Sequence, residues 1–213
     1  MRDLTHPIET GMQTYPGDPP VSVEPVATHE SDGYRESRLS LGSHTGTHVD
    51  APAHIVPGGR TLDEFDPQSF VRTARRVDCR DVEAREAIPA DRVPKVESAV
   101  DCLVFWTGWD DHWNTDRYLD HPSLSPAAAE RCADQDLAVA LDTLNPDPTP
   151  SDGASDAEPE GFPAHHALLG SGLLLFENLR NLGAVDTRFE LRALPLKIDA
   201  DGASVRAVGV DRS

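Results

Sequence analysis

One short segment limits the folds open to this chain more than any other feature. It concentrates three histidines and one aspartate in eleven positions, His44-Thr-Gly-Thr-His48-Val-Asp50-Ala-Pro-Ala-His54. Gly46, Pro52 and the β-branched residues between the histidines oppose a helix, so the segment is predicted to be extended or looped. Because residues two apart share a face on an extended path, the first two histidines and the aspartate can project to one side. His54 follows the bend that Pro52 imposes.

The side chains of this segment have the chemistry of metal ligands. Neutral imidazole and carboxylate are the usual ligand set for zinc or manganese, and the small residues between them let the backbone approach an ion closely. Single histidines are most often surface or core residues, but three of the nine histidines of the chain stand here. If His44, His48 and Asp50 bind the metal, His54 is left as the proton-transfer group.

A second group of candidate ligands lies far along the chain. His165 and His166 fall in a short predicted helix, Pro163–Gly170, and Glu177 follows the apolar strand candidate 173–176. Such residues are also common as helix caps or structural groups, so this group carries weight only beside the first. Sites in α/β proteins tend to lie where strands end. Together the two groups supply enough ligands for two metal ions bridged by one carboxylate.

The remaining pattern indicates a strand-rich α/β protein. Ser125-Pro126 before an alanine-rich stretch is a typical helix start, with the serine as N-cap and the proline in the first turn. The predicted strands are 38–41, 70–79, 100–106, 137–141, 173–176 and a terminal pair, 189–198 with 205–210. Because irregular stretches rather than regular βαβ units separate them, neither a Rossmann fold nor a TIM barrel is expected. No repeat or shift of composition divides the chain, so residues 1–213 are predicted to form one domain.

The charge and hydropathy of the chain exclude several classes of partner. Its formal net charge is −18, from 37 acidic and 19 basic residues, so nucleic acid would be repelled. No apolar run is long enough to cross a membrane, and the N-terminus lacks the apolar core of a signal peptide, which predicts a cytoplasmic protein that does not bind membranes. The three cysteines form no CxxC pair, so neither a zinc knuckle nor a disulfide framework is expected.

The acidic surface also predicts a halophilic type of protein. Lysine is nearly absent, with only Lys95 and Lys197, and acidic residues crowd the loop 152–160. Concentrated salt would screen the resulting self-repulsion. The temperature at which the protein unfolds should therefore rise between low and molar KCl. An unfolding temperature that stays the same would contradict this hypothesis.

Taken together, these motifs resemble those of the cyclase-like metal hydrolases, the family that includes bacterial kynurenine formamidase and isatin hydrolase. The segment from His44 to His54 matches that family's HxGTHxDxPxH signature. Four other stretches are similar as well: Asp3-Leu-Thr-His-Pro, Tyr15-Pro-Gly-Asp-Pro, Thr107-Gly-Trp109, and His165-x-x-Leu-Leu before Glu177-Asn-Leu. The resemblance spans nearly the whole chain.

The resemblance implies a role for each residue of the two groups. Five residues would bind two divalent ions, zinc in the first place or manganese: His44, His48, Asp50, His165 and Glu177. Asp50 would bridge the two ions, His166 would be a bystander, and His54 would be the catalytic acid/base. The family also implies a swivelling β/β/α fold with a mixed sheet, assembled as homodimers or homotetramers. In such an enzyme, water activated by the metal attacks the carbonyl group of a small-molecule substrate.

Three functions remain open. The first is hydrolysis of the C–N amide bond of a small aryl substrate, with N-formylkynurenine, split to kynurenine and formate in tryptophan catabolism, as the best-known family substrate. The second is a hydrolase or cyclase of another small cyclic or carbonyl substrate, such as isatin. The third is a metal-binding homologue without turnover, which the intact His54 disfavours.

The residues around the pocket leave the substrate open. Tyr15, Trp109 and Phe162 are aromatic candidates for the pocket wall, although such residues also serve as plain packing. The stretch 142–150 and the acidic loop 152–160 depart from the formamidase pattern and are expected to border the pocket. The family resemblance therefore predicts the metal site more sharply than the substrate.

Overall fold

A computed structural model of the chain describes residues 1–211. The strands, in chain order, are β1 (Arg2–Asp3), β2 (Ser22–Ala27), β3 (Glu36–Ser40), β4 (His48–Asp50), β5 (Val71–Asp78), β6 (Ala87–Ile88), β7 (Cys102–Trp106), β8 (Ser123–Leu124), β9 (Ala138–Leu141), β10 (Leu175–Glu177), β11 (Arg188–Arg192), β12 (Gly202–Ser204) and β13 (Val208–Asp211). The α-helices are α1 (His29–Asp32), α2 (Pro126–Ala133) and α3 (Pro163–Gly170). Short 3₁₀ turns lie between them, one of them at Pro52–His54.

A nine-stranded mixed sheet forms the centre of the molecule, in the order β1-β13-β11-β5-β7-β9-β10-β4-β12. Neighbouring strands from β5 through β7 and β9 to β10 are parallel, whereas the flanking strands are antiparallel. Helix α2 precedes β9 and helix α3 precedes β10, so the centre contains crossover helices that the irregular spacing of the sequence concealed. The pairs β2–β3 and β6–β8 form separate two-stranded sheets.

The central strands are buried on both faces, which explains their continuous apolar sequences. In β7, Leu103 and Phe105 face a cluster that includes residues of α2 and α3. Cys102 and Val104 face the opposite side, where the curled sheet closes over Phe176 and Phe189. Full burial of each large side chain stabilises the fold by about 1.5–3 kcal/mol, so the two clusters hold the sheet as a rigid support for its strand ends.

The predicted strand-rich α/β fold with a mixed sheet is confirmed. Helix α2 begins as expected, with the Ser125 hydroxyl accepting a hydrogen bond from the backbone N–H of Ala128 at 3.2 Å. The predicted strand 189–198 is shorter than expected and ends at Arg192, shortly before Pro195, which lacks the N–H that a central strand needs. Residues 212–213 of the predicted domain lie outside the described residues. No helix within residues 1–211 is long and apolar enough to cross a membrane.

Candidate metal centre

Strand β4 carries two of the predicted ligands and lies between β10 and β12. Glu177 of β10 stands directly opposite His48, and Gly202 of β12 stands opposite Asp50. Directly opposed residues of antiparallel strands project to the same face, and so do residues two apart on one strand. The pairing register therefore brings the side chains of His48, Asp50 and Glu177 together.

His44 reaches this group through a turn rather than along an extended path. Gly46 adopts φ +61, in the left-handed region that favours glycine, and a Cβ there would lie 3.0 Å from Ile8 Cδ1. The chain folds back, so that His44 Nδ1 lies 2.7 Å from Asp50 Oδ1. The predicted common face of His44 and Asp50 is thus achieved by a glycine turn.

The ligand atoms of four residues converge within a few ångströms. His48 Nε2 lies 3.1 Å from Asp50 Oδ1 and 3.2 Å from Glu177 Oε2. His165, in the first turn of α3, places its Nε2 3.3 Å from Glu177 Oε1 and 3.8 Å from Asp50 Oδ2. All four side chains are buried, so residues far apart in sequence form one compact cluster.

The hydrogen bonding of this cluster fits a metal ion. His48 Nε2, Asp50 Oδ2 and Glu177 Oε1 are buried without a hydrogen-bond partner among the described residues, although oppositely charged atoms are close. Unpaired buried polar atoms are costly and rare. Atoms that are close to oppositely charged groups yet not hydrogen-bonded are expected where side chains point towards a shared centre rather than at one another. Nitrogen and carboxylate oxygen are ligands that suit a divalent ion at such a centre.

The second ring nitrogen of each candidate ligand histidine is held by another acceptor. The pairs are His48 Nδ1 with the Gly46 carbonyl at 2.8 Å, His165 Nδ1 with Asp147 Oδ2 at 2.7 Å, and His44 Nε2 with Asp201 Oδ2 at 2.9 Å. Such acceptors fix the tautomer and orientation of metal-binding histidines. Each imidazole therefore keeps one nitrogen for the centre of the cluster.

The electrostatics of the cluster favour positive charge. Burial disfavours an imidazolium, but Asp50 and Glu177 outweigh it and raise the pKa of His48 well above its ordinary value. Burial also acts to lower the pKa of His165, but hydrogen bonds to Asp147 and Glu177 outweigh burial and raise this pKa to about 10. For Asp50, the charges of nearby histidines outweigh burial and lower its pKa well below the usual range. Either protons or a metal cation can supply the charge that these carboxylates stabilise.

His54 stands at the edge of the cluster and is partly open, with 30% of its side chain exposed. Its ring centroid lies 3.9 Å from that of His44, and its Nδ1 lies 3.3 Å from Asp201 Oδ2. Burial, together with the charges of His44 and His165, lowers the pKa of His54 although Asp50 opposes the shift. The favoured form is a neutral imidazole, which can accept a proton.

A cavity of about 320 Å³ opens above the cluster. Its apolar walls are Tyr15, Ile55, Leu144 and Phe162, and its polar lining consists of His44, His48, Asp50, His54, His165 and Glu177 together with Asp18 and Asn145. The rings of Tyr15 and Phe162 are tilted by 57° to each other, with centroids 6.5 Å apart. A small ligand with one apolar ring and one polar reacting group matches these walls.

Trp109 does not line this cavity, which corrects its expected place in the wall. It is buried in a cluster with Tyr118 and Leu144, and its indole N–H donates to the Tyr118 carbonyl at 3.1 Å. The turn before it is structural, because Thr107 and the following glycine donate hydrogen bonds to the buried carboxylate of Asp142. The indole therefore serves packing.

The acidic loop lies beside the cavity rather than inside it. Arg85 pairs with Glu158 in the loop and with Asp120 outside it. The loop borders a second cavity of about 450 Å³, and Tyr15 and Phe162 line both cavities. His166, the neighbour of His165, is exposed and does not line the candidate site.

Two residues of the site were missed in the sequence, Asp147 and Asp201. Asp147 is fully buried and lies on a loop. The side-chain oxygen of Asn145 shapes this loop by accepting a hydrogen bond from the backbone N–H of Asp147 at 2.8 Å. Asp201 immediately precedes β12 and reaches His44 and His54 across the sheet. Neither residue has a spacing that relates it to a histidine, so only tertiary structure reveals their roles.

Comparisons with known proteins find relatives along nearly the whole chain. The Cyclase family model matches residues 2–148. A kynurenine formamidase from Salinibacter ruber is 34% identical, and one from Bacillus thuringiensis is 31% identical, each across 97% of this chain and 95% of its own length. A crystal structure of an isatin hydrolase bound to the product analogue thioisatinate superposes with a TM-score of 0.86 at 22% identity, covering 99% of this chain and 92% of the other.

The family match spans more than half of the chain, and the relatives above 30% identity cover nearly all of it. The isatin hydrolase structure shows that the fold is shared as well. On this evidence the protein belongs to the Cyclase family.

Proposed function

We propose that this protein is a metal-dependent hydrolase of the C–N bond in small aryl amides, with N-formylkynurenine as the first candidate substrate. The observation that carries the proposal is the buried, unpaired ligand atoms of His48, Asp50 and Glu177 beneath an aromatic-walled cavity. The similarity to kynurenine formamidases over almost the whole chain supports the choice of substrate. The intact His54 at the cavity edge disfavours a protein that only stores metal.

The site is proposed to hold two divalent ions, zinc in the first place or manganese. Asp50 supports a bridging role, because its Oδ1 faces His44 and its Oδ2 faces His165. Mixed nitrogen and oxygen ligands suit zinc, and abundant carboxylates also suit manganese. Ions held there would polarise the substrate carbonyl and make a water molecule nucleophilic near neutral pH.

His54 is proposed to move the proton. Its neutral imidazole accepts the proton that water loses as oxygen attacks the carbonyl carbon. The C–N bond then breaks, and the same imidazole gives the proton to the departing nitrogen. For N-formylkynurenine, one water molecule is consumed, and formic acid and the aryl amine of kynurenine are released.

The apolar walls are proposed to orient the substrate. Tyr15 and Phe162 can pack against an aryl ring, while Ile55 and Leu144 close the sides of the cavity. Holding the ring fixes the amide carbonyl over the polar floor, which lowers the entropic part of the barrier.

A cyclic amide such as isatin is the second candidate substrate. The described residues that line the cavity include neither lysine nor arginine, so no permanently charged cationic side chain there would pair with a substrate carboxylate. A neutral substrate avoids burying an unpaired charge against these walls. Water would add to the ring carbonyl and the ring C–N bond would open, with His54 in the same role.

The test combines elemental analysis with turnover of both substrates, with and without a chelator. We expect chelator-sensitive hydrolysis that falls by about three orders of magnitude in His165→Ala. His166→Ala is the matched control, because that neighbouring histidine is exposed, and it should keep full activity. Bound metal without turnover of either substrate would contradict the proposed reaction, and activity that survives complete metal removal would contradict the role of the metal.

The assembly is proposed to be a homodimer or homotetramer. Val26 and Leu39 of the β2–β3 hairpin are 45% and 57% exposed, and an isolated two-stranded hairpin gains little stability alone. A second subunit would cover these side chains. Sedimentation equilibrium should give a mass of two or four chains, and a monomer at micromolar concentration would end the proposal. A cytoplasmic location stays a prediction.

A further inference from the structure

Asp201 is tied to the centre of the site by its backbone. Its carbonyl oxygen accepts a hydrogen bond from the N–H of Ala51 at 2.8 Å, directly after the ligand Asp50. The next residue, Gly202, pairs with Asp50 in the β4–β12 ladder. These contacts fix the main chain from which the Asp201 side chain extends.

One oxygen of the Asp201 carboxylate contacts two histidines with different predicted roles. Asp201 Oδ2 lies 2.9 Å from His44 Nε2 and 3.3 Å from His54 Nδ1. The other ring nitrogen of His44, Nδ1, lies 2.7 Å from Asp50 Oδ1. A carboxylate accepts hydrogen bonds and cannot donate them when ionised, so both contacts require an N–H on the histidine.

We propose that Asp201 is a positioning residue that fixes both the metal ligand His44 and the proton-transfer residue His54. By accepting the Nε2–H of His44, it leaves Nδ1 for the metal. By accepting the Nδ1–H of His54, it leaves Nε2 as the atom that takes up and returns the proton. The part that concerns His54 rests on the proposed function, whereas the part that concerns His44 requires only metal binding.

The shared oxygen couples the two roles. A rotation of the His44 ring would move the acceptor on which the tautomer of His54 depends, so ligand geometry and proton transfer are set together. With 40% of its side chain exposed, Asp201 can be changed without opening the core. Asp199, two residues earlier and exposed, offers a matched control at the same charge.

The first measurement is zinc affinity, by competition with a chromogenic chelator. Asp201→Asn keeps the shape of the side chain but loses the charge that orients His44. We expect its zinc affinity to fall about 10–100-fold relative to wild type and to Asp199→Asn. An affinity equal to that of Asp199→Asn would overturn the role of Asp201 toward the ligand.

The second measurement is the tautomer of His54, from ¹⁵N spectra of the zinc-loaded protein. The wild type and Asp199→Asn should show His54 protonated at Nδ1, and Asp201→Asn should lose that preference. A wild-type His54 protonated at Nε2 would overturn the proposal. This readout needs no turnover, so it tests Asp201 even if the proposed function fails.

The third measurement compares formanilide with 4-nitrophenyl formate at saturating zinc. The anilide nitrogen must gain a proton to leave, whereas nitrophenolate departs as an anion. Asp201→Asn should therefore lower kcat for formanilide about 10–100-fold with little change in KM, and lower kcat for the ester less than about threefold. Equal losses on both would overturn the link to His54. A zinc-loaded wild type that cleaves neither compound would contradict the proposed function instead.

Discussion

Replacing Asp147 by alanine removes a carboxylate that organises the start of helix α3. Asp147 accepts hydrogen bonds from the backbone N–H of Ala164 at 2.8 Å and of His165 at 3.1 Å. It also contacts His165 Nδ1 at 2.7 Å. Because Asp147 is fully buried, the truncation leaves these three donors facing a void rather than solvent.

The expected loss of stability follows from those donors. Each buried donor left without an acceptor costs about 1–3 kcal/mol, and a water molecule entering the void would restore part of that. The free energy of unfolding of Asp147→Ala should therefore fall by about 3–5 kcal/mol. That is a large share of the about 5–15 kcal/mol that holds a typical domain folded. Asp147→Asn keeps one acceptor oxygen and should lose less.

Urea unfolding of the metal-free protein measures this loss, with the denaturant slope unchanged if the denatured state is the same. Asp156→Asn, an exposed acidic residue of the loop 152–160, is the matched control and should unfold like wild type. A loss below about 1 kcal/mol in Asp147→Ala would refute the reasoning, because it would mean that the three contacts contribute no net stability.

Three further outcomes follow from the site and its surroundings. A Cβ at Gly202 would lie 2.6 Å from His44 Cε1, so Gly202→Ala should weaken zinc affinity about tenfold or more. A Cβ at Gly170 would meet open space, so Gly170→Ala should leave zinc affinity unchanged. Zinc loading near neutral pH should release about three protons per chain, since the pKa values of the three proposed ligand histidines are raised. Calorimetry in two buffers measures this release, and the absence of any proton release would contradict the ligand set. Burial lowers the pKa of His121 to about 4, so the unfolded chain takes up a proton that the folded chain does not. His6 and Asp142 also titrate in this range, so the contribution of His121 is measured as a difference. Relative to His121→Gln, the wild type should lose about 3 kcal/mol of stability from pH of about 6.5 towards 4 in urea titrations.

The local features of the site could be predicted from sequence because their causes are local. Gly46 and Pro52 oppose a helix, and β4 and the turn Pro52–His54 follow. Ser125-Pro126 begins a helix for equally local reasons. Even there, the place of His44 was only partly foreseen, since the turn at Gly46 rather than strand alternation brings it to Asp50.

Features set by long-range contacts could not be read from the sequence. Asp147 meets His165 because a loop crosses the start of α3, and Asp201 meets His54 because β12 pairs with β4. The parallel centre of the sheet was concealed because irregular stretches, rather than regular βαβ units, separate its strands in the sequence. Trp109 was placed in the pocket wall from its type alone, whereas packing against Tyr118 decides its position.

The most direct test of the metal centre is the zinc and manganese content of the purified protein beside that of Glu177→Gln. This substitution keeps the size of the side chain and removes the charge of one ligand at the floor of the cavity. Ions bound loosely to the acidic surface would be equal in both proteins, so the difference counts those in the site. We predict about two ions per wild-type chain and a clear loss in Glu177→Gln; equal content in the two proteins would contradict the centre.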